Sequence, residues 1–128
     1  MTVINTSEAP LPLGHYSQAI VKENVIYVSG QLPIDPNDED VVFVTPEEQT
    51  LRALQNLEAV LKAAGGTKNS VVKVTIYISD IALWAAVNSV YSDFFGDYKP
   101  ARSAVPVPAL PKGYFVEIDA IAYVESCL

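Results

Sequence analysis

Val116-Glu117-Ile118-Asp119-Ala120-Ile121-Ala122-Tyr123-Val124 is the stretch that decides the fold. Its side chains alternate with a period of two, the signature of a strand with two unlike faces. One row, Val116, Ile118, Ala120, Ala122 and Val124, is apolar and mostly small, suited to lie beneath helices. The other row, extended back to Phe115, runs Phe115, Glu117, Asp119, Ile121 and Tyr123. It mixes aromatic and aliphatic surface with carboxylates, so it fits neither a dry core nor an ordinary wet face. A strand is expected over Tyr114–Glu125.

Immediately upstream, Leu110-Pro111-Lys112-Gly113 reads as a turn leading back to a strand over Ala101–Pro108, and the two strands are expected as a C-terminal pair. Pro106 and Pro108 share parity, which points to an edge strand or a bulge. Ser103, Val105 and Val107 are assigned to the covered face, leaving Arg102, Ala104 and Pro106 with the mixed row. Further back, Val72, Val74, Ile76 and Ile78 alternate with Lys73, Thr75 and Tyr77. Val25–Ser29 follows a hairpin-like Lys22-Glu23-Asn24 turn, with Ile26 and Val28 inward and Val25, Tyr27 and Ser29 opposite.

Two helices separate these strands. Thr45-Pro46-Glu47-Glu48 supplies an N-cap hydroxyl, proline at the first helical position and a capping-box glutamate. Leu51, Leu54, Leu57, Leu61 and Ala64 form one stripe, and Gly65-Gly66 supplies the stop. A second helix is expected over Ile81–Phe95, capped by Asp80, striped by Leu83, Val87, Val90 or Tyr91, and Phe94, and ended by Gly96. Pro33–Asp40 is the least core-like segment, a polar loop. The predicted order is strand, strand, helix, strand, helix, strand, strand. This gives an α/β (α+β) fold, one domain over 1–128, with a mixed sheet whose single covered face takes both helices. The uncovered face, carrying Tyr27, Ser29, Arg102, Glu117 and Tyr123, is then expected to be a subunit interface enclosing a polar pocket.

Composition narrows the function. The 128 residues are 50% hydrophobic and 18% charged, a globular balance, and the net charge of -7 opposes phosphate backbones, making nucleic acid an unfavoured partner. A single cysteine, Cys127, excludes an internal disulfide framework and a multi-cysteine zinc site and reads as a free tail thiol. No apolar run approaches the ~20 residues of a membrane span. Met1–Pro12 has no arginine and carries Glu8, unlike a mitochondrial presequence, so a cytoplasmic location is expected. Phosphate-loop, dinucleotide, serine-hydrolase and zinc-protease motifs are all missing. His15, the lone histidine, reads as a surface residue before a strand.

Two residues stand out chemically. Arg102, in Lys99-Pro100-Ala101-Arg102-Ser103, places a rigid guanidinium fork at a strand start, suited either to bidentate carboxylate capture or to an inter-subunit ion pair. Glu117 sits mid-strand between Val116 and Ile118, where a carboxylate needs a partner or a task. Together they could bind an anionic substrate and manage its protons.

At these residues the chain resembles the RidA/YjgF family of reactive-intermediate deaminases. The matching blocks are Tyr16-Ser17-Gln18-Ala19, Val28-Ser29-Gly30-Gln31, Gln49-Thr50 with Asn56-Leu57, and Val71–Asp80. Asn88 with Tyr91 and Phe94-Phe95, Pro100-Ala101-Arg102-Ser103, and Leu110–Gly113 leading to Val116-Glu117-Ile118 complete them. The resemblance implies a chorismate-mutase-like subunit and a barrel-like homotrimer with clefts between subunits. It implies hydrolysis of 2-imino acids such as 2-iminopropanoate and 2-iminobutanoate to 2-keto acids and ammonia, without metal or cofactor. By position, Arg102 holds the substrate carboxylate, Glu117 orients or activates water, and Tyr16, Ser29, Gly30 and Asn88 line or support the cleft. Ala104 departs from the cysteine that many relatives carry two residues beyond the arginine, so thiol-dependent behaviour is not expected. The alternatives are a regulatory trimer that binds 2-keto acids without turnover, and the mitochondrial maintenance or translation-related roles of fungal-type relatives.

Overall fold

The computed structural model describes residues 1–125; Cys127 lies outside them. Six strands form one mixed sheet: β1 (Thr2–Ile4), β2 (Ala19–Lys22), β3 (Val25–Gln31), β4 (Val71–Ile78), β5 (Ala101–Pro106) and β6 (Val116–Tyr123). Their spatial order is β1-β2-β3-β6-β4-β5, antiparallel throughout except for the parallel β4–β5 pair. The last strand thus inserts at the centre of the sheet. β2 and β3 are joined by Glu23 (φ 52°) and Asn24 (φ 65°), two adjacent left-handed residues whose twist suits a two-residue hairpin.

The helices, α1 (Pro46–Ala63) and α2 (Trp84–Phe95), share one face, with α1 over β6 and β3 and α2 beside it. Ile26, Val28, Val74, Ile76, Ile78, Val116, Ile118 and Ala122 meet Leu54, Leu57, Val60, Leu61 and Val87 in the core. Thr45 caps α1 by accepting from the Glu48 backbone at 3.1 Å. At its other end Gly66 N donates to Leu61 O (2.8 Å) and Gly65 N to Lys62 O (3.1 Å). That double closure needs the left-handed φ of +89° which Gly65 supplies. Asp80 accepts from Ala82 N (2.9 Å), so the second helix starts with a 3-10 turn over Ile81–Leu83 before α2 proper.

Buried polar side chains organise the loops. Asn56, fully buried, donates to Leu32 O (2.9 Å) and Ile34 O (2.8 Å). Leu32, Pro33 and Ile34 are therefore buried, and only the later part of the expected polar loop is exposed. Gln18 accepts from Thr6 N (2.7 Å) and donates to Thr6 O (3.0 Å) and Pro10 O (2.9 Å), pinning the N-terminal segment against the sheet.

Several expectations need correction. β5 and β6 are not neighbours, because β4 lies between them. β1 was not anticipated; three residues are too few to show a period. A bulge between Val71 and Lys73 turns Val71 into the core and leaves Val72 half exposed. Leu51, one step off the Leu54–Leu57–Leu61 stripe, is 44% exposed. Phe115 precedes β6 and packs against the core, with its N–H on Gln49 Oε1 at 2.8 Å. Most consequential is the parity of β5. Arg102 pairs with Val74, Ala104 with Ile76 and Pro106 with Ile78, so these three share the helix-bearing side, whereas Ser103 and Val105 pair with Thr75 and Tyr77 on the open side. Every residue of β5 is exposed, so its alternation carried no imprint of the core. It is an edge strand, as its prolines predicted. Val107 N donates inward to Ile78 O (2.9 Å), which turns the donor position of Pro106 toward the free edge.

Candidate active site

The residues expected to form a cleft fall into two groups. Tyr16, Ser29, Gly30 and Glu117 line one open cavity of ≈ 480 Å³ together with Leu13, Gly14, Leu32 and Pro111. Ser29 and Gly30 sit where the β3–β6 register shifts between Val28 and Gln31. Ser29 Oγ donates to Ser17 O (2.6 Å) and its backbone N to Gln18 O (2.9 Å), locking the irregular segment in place. Tyr16 is 46% exposed, and its hydroxyl accepts from Leu13 N at 3.2 Å, which folds the 13–16 turn over the cavity rim.

Gly30 is where Glu117 needs room. A Cβ there would meet the Glu117 carboxylate, lying 2.8 Å from its Cδ and 3.1 Å from its Cγ. Burial, and secondarily the neighbouring Asp119 charge, raises the Glu117 pKa above the usual glutamate value. Asp119 itself accepts from Tyr77 Oη at 3.0 Å, a bond that leads the causes raising the Tyr77 phenol.

Arg102 and Asn88 form the second group, in a ≈ 430 Å³ cavity shared with Tyr91, Phe95, Tyr98 and Pro100. Arg102 Nη1 donates to Asn88 Oδ1 at 2.7 Å. Its Cζ lies 4.8 Å from the Trp84 ring centroid and 4.8 Å from that of Tyr91. Trp84 and the placement of Tyr91 went unread, although Trp84, Asn88 and Tyr91 at i, i+4 and i+7 share one helix face. Within one chain Arg102 and Glu117 therefore occupy opposite faces of the sheet, correcting the expectation of a common face. His15 is exposed, as expected. No group of three or more metal-ligating side chains occurs among the described residues, and no helix among them is long and apolar enough to cross a membrane.

The family model described as Endoribonuclease L-PSP matches residues 6–124. The chain belongs to the RidA/YjgF family. A RutC family protein of Pyrococcus abyssi is 50% identical over 123 residues, covering 96% of this chain and 97% of the relative. A rat protein named 2-iminobutanoate/2-iminopropanoate deaminase is 46% identical over 120 residues, covering 94% of this chain and 88% of the relative. The crystal structure of RidA from an Antarctic Psychrobacter superposes with a TM-score of 0.92 at 39% identity, covering 97% of this chain and all of that one. For this RidA-family chain the mixed α+β fold is thus shared along nearly its whole length.

Proposed function

We propose that this RidA-family chain hydrolyses reactive 2-imino acids to 2-keto acids and ammonia, in a homotrimer whose sites lie between subunits. The observation that carries the reading is the division of the two candidate groups. Glu117 with Tyr16, Ser29 and Gly30, and Arg102 with Asn88, each furnish half of a site, on opposite faces of one chain's sheet. A second copy that brings its Arg102 side to the first copy's Glu117 completes it. The rat relative's name supports the reaction class.

The chemistry asks little beyond positioning. Arg102 takes the substrate carboxylate with the N–H groups not engaged by Asn88. Water adds to the electrophilic carbon of the protonated imine and gives its proton to Glu117, leaving a neutral carbinolamine. Glu117 then returns that proton to the amino nitrogen, and as ammonia departs and the carbonyl forms, the hydroxyl proton passes back to the Glu117 carboxylate. A carboxyl whose pKa is raised by burial suits these proton transfers. Ala104 leaves no thiol beside Arg102, and none of these steps requires one.

The test is subunit complementation. Imine is generated by a threonine dehydratase and its lifetime read by semicarbazide trapping. Arg102→Ala and Glu117→Gln trimers are each expected to be inactive, and co-assembled mixtures to regain activity because some sites then pair an intact arginine with an intact glutamate. Failure of mixing to restore activity overturns the shared site. Wild-type protein that binds 2-oxobutanoate without shortening imine lifetime replaces the enzyme with a binding module.

A further inference from the structure

Arg102 stands on the outermost strand of the sheet, with every residue of β5 exposed and, among the described residues, only β4 paired beside it. A long side chain in such a place samples many rotamers, and freezing it on ligand binding opposes capture. Here it is already held by neighbours. Two rings and one amide from a single face of α2 surround the guanidinium: Trp84 and Tyr91 with centroids 4.8 Å from Cζ, and Asn88 Oδ1 2.7 Å from Nη1. A guanidinium over an aromatic face is attracted by the ring quadrupole, and its planar shape lets it stack while its edge N–H groups stay free for an anion.

The two rings do different work. Tyr91 is 5% exposed and packs against Phe95 with ring centroids 4.7 Å apart and planes tilted by 48°, so it belongs to the helix's buried seam. Its hydroxyl has no hydrogen-bond partner among the described residues, so the contact with Arg102 is made through the ring. Trp84 is only partly buried, at the first position of α2, directly after the Asp80-capped turn. That turn fixes where α2 begins and hence where the indole lies.

We propose that Trp84 is a positioning residue: with Tyr91 it forms an aromatic platform that pre-sets Arg102 for carboxylate capture. The inference rests on the reading of Arg102 given above. Trp84 touches neither substrate nor water in this scheme; it acts through the arginine. Because Arg102 grips the carboxylate in ground and transition state alike, loosening it raises KM and leaves kcat nearly untouched.

Trp84 is the chain's one tryptophan, so tryptophan emission, excited selectively, reports on the platform. The experiment compares wild type, Trp84→Leu, Trp84→Phe and Arg102→Ala. Trp84→Leu is expected to raise KM for imine hydrolysis by roughly 3- to 30-fold, the range set by a cation–π contact, with kcat within about twofold. Trp84→Phe, which keeps a ring, restores most of the affinity. Titration with propionate, a non-absorbing carboxylate, should change wild-type tryptophan emission saturably and leave Arg102→Ala emission flat. Unchanged KM in Trp84→Leu, or equal losses in the Leu and Phe variants, overturns the platform while leaving the proposed function standing if Arg102→Ala is inactive. A fully active Arg102→Ala instead overturns the role of Arg102 on which both rest.

Discussion

Gly30 and Glu117 show how tightly one side chain's freedom is set by a neighbour's lack of one. Gly30→Ala places a methyl group against the Glu117 carboxylate, which can swing away because it is the end of a flexible chain. The fold is expected to survive while imine turnover falls by at least tenfold, a contrast that paired melting and activity measurements will display. Glu117 has its own trade-off. Its pKa is raised in the folded state, so the folded chain holds the proton more tightly than the unfolded one. Stability is then greatest below the unfolded glutamate pKa and declines as pH rises through the folded value. Glu117→Gln should therefore melt higher than wild type at pH 7, with the gap closing in acid, while turnover drops by about 10²-fold or more. Melting curves that coincide at both pH values, or a gap that widens in acid, refute this. Glu117 was legible in the sequence because a carboxylate stands mid-strand between Val116 and Ile118, where it needs a partner or a task. Arg102 was legible as a residue but not as a direction, since its exposed strand carries no hydrophobic parity to orient it.

The helices and strands were readable in proportion to how completely their apolar rows are buried. α1, β3 and β6 each press an unbroken row into the core, and each has its expected inward face apart from Leu51. What pattern could not supply was pairing across the sheet, because the partners of β6 are chosen by where β4 and β3 end up and not by β6 itself. The buried amides were equally silent: Gln18, Gln49 and Asn56 look like ordinary polar helix or loop residues until the carbonyls they serve are in place. Asn56 gives the sharpest case. Asn56→Leu keeps the branched side-chain skeleton yet strips Leu32 O and Ile34 O of their donor, and a loss of about 1–3 kcal/mol is expected in urea unfolding. Thr45→Ala, removing one exposed cap, should lose only about 1 kcal/mol. A reversal of that order would mean that the loop is not held from α1.

At the scale of the molecule, the open sheet face presents Tyr27 (49% exposed), Tyr123 (47%) and Ile121 (39%) around charged groups. Ile121 pairs with Tyr27 across β3–β6, so the three form one patch. Ile121→Lys places a cation in its middle and is expected to convert an oligomer to monomer in sedimentation or light scattering; wild type behaving as a monomer at micromolar concentration would remove the basis for the shared site. The other margin of the sheet faces the opposite problem. Among the described residues no strand lies beyond β5, and a bare strand edge is a template on which another chain can lay itself down. At Pro106 the outward donor is missing, so a strand arriving there finds its hydrogen-bond ladder broken at one rung. In effect the proline punctuates the sheet. It denies the margin open-ended growth, and a Pro106→Val chain should betray the difference by seeding fibrillar aggregates that the parent does not.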